Sequence, residues 1–550
     1  MRVIIVGGVA GGASAAARIR RLDERAEIVI YERSGYISYA NCGLPYYIGG
    51  IIEDRDDLTV QTPEGFRKRF QIDARPHHEV TDVDAQNKTV TVRDLLSGKS
   101  FTDHYDKLLL SPGAKPVLPD YPWITQKNVF TLRTVEDTLR IRAYAEERHV
   151  KRAVIVGGGF IGLETAENLM AKGISVTILQ RGDQLLPMLD RDMASFIHAK
   201  LRAKGAAVVL GADAATHACI GEADMIVVAV GVTPETTLAR AIGLRTGKKG
   251  AISVNDRMET SHPDIYAVGD AVEIRHRVTG EILPIALAGP ANKQGRIAAD
   301  NICGRESHYA GSLSSSVIKL FDMTAAATGI NEKTAKRLGL SYERVVLSPA
   351  SHAGYYPGAR VMTMKVLYEK STERLLGAQI VGTDGVDKRI DVLATAIFAG
   401  LPATALKDLD LAYAPPYSSA KDPVNMAGFI IDNIESGLVA QFHHDELPHI
   451  RTLENTCLLD TRTPTEYARG HADGFINIPL DELRNRLHEL DPSKRIYIMC
   501  QSGLRSYLSA RILSENGFDC CHFSGGYRFY ESVLLDREAA ATAHPCGAEK

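Results

Sequence analysis

Two stretches of this chain repeat one pattern 150 residues apart, from Gly7 to Gly157: an apolar strand, a glycine turn and an apolar helix. The first runs from Val3 to Gly12 and continues as the Ala-rich Ala13 to Arg21. The second runs from Ala153 to Gly162 and continues from Leu163 to Lys172. Each then enters another apolar strand, Glu27 to Glu32 and Ser175 to Gln180. A strand, a helix and a further strand of this length make a parallel βαβ unit, and a glycine turn at the helix start lets backbone N–H groups approach a pyrophosphate. The chain is therefore read as α/β, with two doubly wound dinucleotide-binding domains. Its 550 residues leave room for two more at about 150 residues per domain.

The first turn is imperfect. Gly7 gives the tight bend and Gly12 the close helix–strand contact, but Val9 stands where a middle glycine is usual. Glu32 ends the second strand, where a carboxylate can accept hydrogen bonds from an adenosine ribose. The later run Thr260 to Asp270, reading TSHPDIYAVGD, resembles the second FAD signature of flavoproteins with two dinucleotide domains. That resemblance implies that Asp270 meets the flavin ribityl and phosphate region. The second turn is complete, with Gly157, Gly159 and Gly162, and its position between two halves of an FAD domain implies the nicotinamide site. Its second strand ends in Gln180 followed by Arg181. An acid there favours NAD and an arginine accommodates the 2′-phosphate of NADP, so NADH and NADPH both stay open.

After the first βαβ unit comes Ser38-Tyr-Ala-Asn-Cys-Gly-Leu-Pro-Tyr46. Cys42 has no second cysteine nearby; the next is Cys219. A lone redox cysteine must alternate between thiolate and a mixed disulfide or persulfide with something from outside, which calls for an accessible, low-pKa thiol. This stretch, both glycine turns, Tyr355-Tyr-Pro-Gly358 and Tyr413-Ala-Pro-Pro-Tyr-Ser-Ser-Ala-Lys-Asp422 resemble the coenzyme A disulfide reductase branch of the single-cysteine pyridine nucleotide–disulfide reductases, over residues 1 to 437. The resemblance implies FAD, a homodimer, and a cysteine cycling through a mixed disulfide with CoA. It implies Cys42 as nucleophile, and Tyr355 and Tyr413 as tyrosines that reach the partner subunit's site. It also makes Ser14, Arg18, Arg21, Ser38, Asn41 and Lys421 candidates for CoA contact. Where the branch has a CoA-contacting lysine, this chain has Phe70, with Arg67, Lys68 and Arg69 beside it.

Near the C-terminus an apolar strand, Arg495 to Met499, delivers Cys500 into a loop that closes with Arg505 and a helical run. Loop N–H groups and a helix start stabilise a thiolate or a persulfide anion, and Arg505 adds positive charge. Four residues separate Cys500 from Arg505, a cradle suited to one sulfane sulfur. With Leu459 to His471 and Asn477-Ile-Pro479, the segment 450–535 resembles the rhodanese sulfurtransferases. The roles of Cys520, Cys521 and Cys546 cannot be read.

The expected order is residues 1–115 for FAD, 116–245 for the nicotinamide, 246–316 for FAD again, 317–440 for an α+β dimerisation domain and 450–538 for a rhodanese α/β domain. Polar residues 441–455 read as a linker. Residues 536–550 read as disordered, the last of them (539–550) as a tail. A reductase followed by a rhodanese unit resembles the CoA disulfide reductase–rhodanese fusions, which include NADH-dependent persulfide and polysulfide reductases. The rivals are an NADH oxidase or peroxidase holding Cys42 as a sulfenic acid, and a sulfur-relay protein with an inert flavin scaffold. With 64 basic and 67 acidic residues the net charge is −3, so nucleic acid and anionic membranes are not expected partners. Eight cysteines in 550 residues make no disulfide framework, and no apolar run reaches about 18 residues, so a cytoplasmic protein is expected, without a metal site.

Overall fold

The computed structural model describes residues 1–247 and 249–542. They form two compact units, one from residues 1–183 and 205–314, the other from residues 184–204 and 315–542. The expected fold class is the observed one.

In the first unit, strand Arg2–Val6 is the middle of a five-stranded sheet, parallel to Glu27–Tyr31 on one side and Lys107–Leu110 on the other. Val3, Ile4 and Ile5 are fully buried, as an unbroken apolar run in a sheet covered on both faces should be. Strand Ile265–Ala267 joins the same sheet beside Lys107–Leu110. The chain thus leaves this sheet, builds a second one and returns, which brings Asp270 back to the first. The second sheet is also parallel, in the order Ala207–Leu210, Ser175–Gln180, Arg152–Val156, Met225–Val228, Val129–Phe130. Helix Ala288–Ile302 presses on helix Ala10–Leu22; a Cβ on Gly295 would stand 2.4 Å from the Gly11 carbonyl oxygen.

The second unit holds two sheets. One is antiparallel, running Ser316–Leu320, Met323–Gly329, Leu375–Gly382, Thr363–Glu369, Tyr342–Leu347. The other is parallel, running Ala440–Phe442, Cys520–Phe523, Arg495–Met499, Thr456–Asp460, Ile476–Asn477.

Three expectations change. The segment read as a linker, 441–455, carries the edge strand of the parallel sheet. Phe442 is 2% exposed and packs edge-on against Tyr497 and Phe523, while Leu447 and Ile450 bury the short helix that follows. The stretch read as disordered from Asp536 is the end of helix Gly526–Thr542. Asp536 is 3% exposed and accepts from His198 Nδ1 at 2.9 Å and Arg202 Nη1 at 2.8 Å. Since His198 Nε2 accepts from the Leu185 N–H, its proton sits on Nδ1 and faces Asp536. Finally, residues 184–204, expected within the nicotinamide domain, pack with the second unit through helix Arg191–Ala203. Residues 543–550, with Cys546, lie outside the described residues.

Asp190, Asp192 and Glu332 meet in the second unit, all buried. Lys365 sits among them, 3.0 Å from Asp190 and 2.7 Å from Asp192 and also paired with Glu332, which Arg344 pairs as well. Burial alone would lower its pKa, but the three carboxylates hold it above the ordinary lysine value. No described helix is long and apolar enough to cross a membrane.

Candidate functional site

The two glycine turns share a construction. Gly7 has φ +92° and Gly157 φ +112°, conformations that favour glycine, and Cβ atoms there would stand 2.2 Å and 2.3 Å from carbonyl oxygens. In both, the residue ending the second strand accepts from a loop N–H: Gly8 N to Glu32 Oε2 at 2.9 Å, and Gly158 N to Gln180 Oε1 at 3.0 Å. Gly12 and Gly162 each approach the preceding glycine carbonyl so closely that a Cβ would be 2.0 Å away. A Cβ on Gly159 would meet nothing within 4 Å, so the second turn has the room a pyrophosphate needs. The second turn thus has the clearance for a dinucleotide, and the first shares its tight bend and close helix approach. Arg181 is exposed and has no carboxylate partner among the described residues.

Asp270 lies in the turn after strand Ile265–Ala267 and is paired with Arg133 Nη2 at 2.7 Å. Sequence reading missed Arg133. It stands 137 residues from Asp270, and nothing local marks it.

Cys42 sits in a short turn, Asn41–Gly43, just before helix Leu44–Gly49. Its loop is anchored to the first glycine turn by Ser38 N donating to Gly8 O at 2.8 Å, and Ser38 takes a left-handed φ of +47° there. Thr138 Oγ1 donates to Leu44 O at 2.7 Å and fixes the helix start. As a residue Cys42 is exposed, but its thiol is largely enclosed. Burial pushes the thiol pKa up and the Glu164 carboxylate adds to this, while Arg133 opposes both. The expected low-pKa thiolate is therefore not what the surrounding side chains produce. Burial in turn raises Glu164 to about 7, against a weak lowering by the Tyr46 hydroxyl at 3.4 Å. Glu164 on helix Phe160–Ala171 is thus a neutral or charged neighbour of the thiol according to pH.

The candidate CoA residues are placed less evenly. Arg18 and Arg21 share helix Ala10–Leu22; Arg21 is exposed, but Arg18 is held by Asp300 at 2.8 Å. Ser14 donates to Asn292 Oδ1. Asn41 adjoins Cys42. Arg67, Lys68 and Arg69 are exposed on helix Pro63–Phe70, whereas Phe70 packs against the core. In the second unit Lys421 is exposed, and Tyr355 and Tyr413 touch through their hydroxyls.

The second unit also carries Cys500, fully buried at the end of strand Arg495–Met499. Its Sγ accepts from Gly503 N at 3.1 Å and contacts Ser506 Oγ at 3.4 Å. Gly503 caps helix Leu504–Glu515 with φ +104°. Helix Gly526–Thr542 closes the loop from the other side: Tyr527 N donates to Cys500 O at 2.7 Å, and a Cβ on Gly526 would be 2.6 Å from Ser502 N. Arg505 is not the free charge expected. Glu466 takes its guanidinium at 2.7 Å and 2.8 Å. Arg462 is likewise held by Asp460, reaches Gln501 Oε1 at 3.2 Å and lies 3.9 Å over the Tyr527 ring. Neither acid was singled out from sequence, although Thr463-x-x-Glu466 is a capping-box pattern and marks Glu466 as the acid at a helix start.

A family model described as pyridine nucleotide-disulphide oxidoreductase matches residues 1–295. The dimerisation domain of that family matches residues 315–423, and a rhodanese-like domain matches residues 444–532. The chain is 36% identical over 438 residues to the coenzyme A disulfide reductase of Staphylococcus haemolyticus (strain JCSC1435), covering 78% of this chain and 98% of that protein. It is similar to the crystal structure of reduced Bacillus anthracis CoADR-RHD, with TM-score 0.95 and 46% identity over 98% of both chains. It is also similar to a NAD-dependent persulfide reductase from A. fulgidus, with TM-score 0.90 and 38% identity over 96% of this chain and 100% of that one.

Proposed function

The chain belongs to the pyridine nucleotide-disulphide oxidoreductase family and carries a rhodanese-like domain behind it, and we propose that it is an NAD(P)H-dependent flavoenzyme of the cytoplasm that reduces CoA persulfide, polysulfide or CoA disulfide through Cys42, with Cys500 handling sulfane sulfur. One observation carries the reading. The loop bearing Cys42 is hydrogen-bonded to the first glycine turn, and the same chain holds a second cysteine, Cys500, whose sulfur accepts from the Gly503 N–H at a helix start. The names of the CoA disulfide reductase and persulfide reductase relatives support the substrate class.

Gly7, Gly12, Glu32 and Asp270 would hold FAD, and Gly157, Gly159, Gly162, Gln180 and Arg181 the nicotinamide cofactor. FAD, when bound, supplies the electron pair drawn from NAD(P)H. The Cys42 thiolate attacks the CoA-bearing sulfur of CoA persulfide; a Cys42–S–S–CoA bond forms, the S–S bond of the persulfide breaks, and hydrosulfide leaves. That electron pair would break the Cys42–S–S–CoA bond, returning Cys42 to thiolate and releasing CoA as its thiolate. Arg21 and Asn41, with the exposed basic run Arg67 to Arg69, are the candidates to hold CoA. Exposed Tyr355, Tyr413 and Phe398 on the dimerisation domain suit a homodimer in which the tyrosines serve the partner's site.

The test is anaerobic turnover of NADH and NADPH with CoA disulfide, CoA persulfide, polysulfide and peroxide side by side, for the wild type and Cys42→Ser. The reading expects sulfur substrates to be reduced, peroxide to be poor, and Cys42→Ser to lose turnover while keeping FAD. Wild-type persulfide turnover in Cys42→Ser would sink it, and preferential peroxide turnover would favour the sulfenic acid rival.

A further inference from the structure

Arg505 closes the loop that begins at the cradle cysteine, but its guanidinium is already spoken for. Nη1 donates to Glu466 Oε2 at 2.7 Å and Nη2 to Glu466 Oε1 at 2.8 Å, a two-pronged ion pair. Glu466 is itself fixed: its Oε2 accepts from Thr463 N at 2.9 Å and Thr463 Oγ1 at 3.0 Å, closing a capping box on helix Pro464–Arg469. The Arg505 pairing holds the Glu466 pKa down at about 2, so the carboxylate stays ionised at any working pH. The other guanidinium at this loop, Arg462, is matched by Asp460 at 2.8 Å in the same way. Arg528 donates only its backbone N–H, to Gln501 O at 3.2 Å. The two guanidinium groups shown at this loop, those of Arg505 and Arg462, thus each meet a carboxylate, whereas the half-buried side chain of Arg528 makes no ion pair among the described residues.

This matters because sulfane donors differ in charge. With thiosulfate, the Cys500 thiolate attacks the outer sulfur, the S–S bond to the sulfonate breaks, and the electron pair departs on sulfite, a dianion. Three negative charges then share the cradle. With a hydropersulfide, R–S–S–H, the same attack forms Cys500–S–S–H and the electron pair departs on the R–S thiolate, so only one negative charge is present throughout. A cradle that stabilises sulfite departure needs uncommitted cations.

We propose that Glu466 sets the donor specificity of the cradle: by occupying Arg505 it turns Cys500 away from thiosulfate and toward organic hydropersulfides. The proposal rests on the reading of Cys500 as a sulfane acceptor given above.

The experiment compares thiosulfate with glutathione persulfide as donor to cyanide, using the full-length protein and its Glu466→Gln form. Gln keeps the capping box, since its amide oxygen can still accept from Thr463. The kcat/KM ratio of thiosulfate to persulfide should rise by about tenfold, the scale of one freed charge-assisted contact. The added substitution Arg505→Gln should erase that gain. Glu466→Asp keeps the charge but shortens its reach; it should give an intermediate ratio, and it reads the same effect should the glutamine form fail to fold. An unchanged ratio in both single variants, or a gain that survives loss of Arg505, overturns the proposal. Failure of wild-type Cys500 to take sulfur from either donor overturns instead the cradle reading beneath it.

Discussion

The hydroxyl oxygens of Tyr355 and Tyr413 lie 2.6 Å apart although 58 residues separate them, and both rings are exposed, at 75% and 45%. What holds two exposed loops in register is a buried residue. Arg389, 1% exposed, donates to Ser351 O at 2.9 Å on the first loop, and on the second to Tyr417 O at 3.2 Å and Ser418 Oγ at 3.1 Å. Asp422 balances its charge at 3.0 Å. The hydroxyls are a single hydrogen-bonded unit, so removing either should disable both. Tyr355→Phe and Tyr413→Phe should each lower turnover on CoA disulfide by about a hundredfold, the scale of a lost proton-transfer group, and the double variant should be no worse. Steady-state rates around this double-mutant cycle check it; additive losses would show two independent tyrosines.

A second expectation follows from the charge beside Cys42. Glu164 is held protonated up to about pH 7. Below that pH it is neutral; above it the carboxylate charge adds to burial in keeping the thiol pKa up. Glu164→Gln removes that charge, so the thiol pKa should fall, by less than about one unit given Arg133 nearby. The pH midpoint for iodoacetamide alkylation of Cys42 should move to lower pH in the variant. A midpoint that stays put or rises would remove Glu164 from the thiol's electrostatics.

The nicotinamide preference turns on Arg181. Gln180 Oε1 is engaged with Gly158 N at 3.0 Å, so the next charge along the strand end is the exposed arginine. Arg181→Glu would repel the 2′-phosphate of NADPH and leave the NADH ribose little affected. The KM for NADPH should rise about tenfold or more, with a small change for NADH. Equal losses for both cofactors would make Arg181 a solvated surface charge.

Division of labour between the two cysteines is tested at Cys500. Cys500→Ser should abolish sulfur transfer from sulfane donors to an acceptor thiol and leave NAD(P)H reduction of soluble CoA disulfide largely intact, because that substrate needs only Cys42. Turnover on CoA disulfide, CoA persulfide and polysulfide, measured anaerobically, separates the stations. Collapse of CoA disulfide reduction in a protein that still holds FAD would place Cys500 in the reductase site.

Much of this was legible in the residues because it depends on local backbone demands. Gly7 and Gly157 need a left-handed φ, Gly12 and Gly162 need a missing Cβ, and an unbroken apolar run before each turn can only be a strand buried on both faces. Cys42 in an unpaired Asn-Cys-Gly turn and Cys500 with four residues between it and Arg505 are equally local. Glu32 and Gln180 were identifiable too, since each ends the strand that follows its turn.

Partnerships across the chain were decided only by the tertiary structure. Asp270 draws its arginine from 137 residues away, Arg505 is matched by an acid 39 residues upstream, and Arg389 joins loops that no periodicity connects. A polar run such as Gln-Phe-His-His-Asp-Glu reads as a linker until strand Cys520–Phe523 offers its edge and buries Phe442. Likewise, an Ala-rich end reads as disordered until His198 and Arg202 claim Asp536. A residue's own conformation is set by its few neighbours in the chain. Its charge balance and its burial are set by whatever the folded chain brings against it.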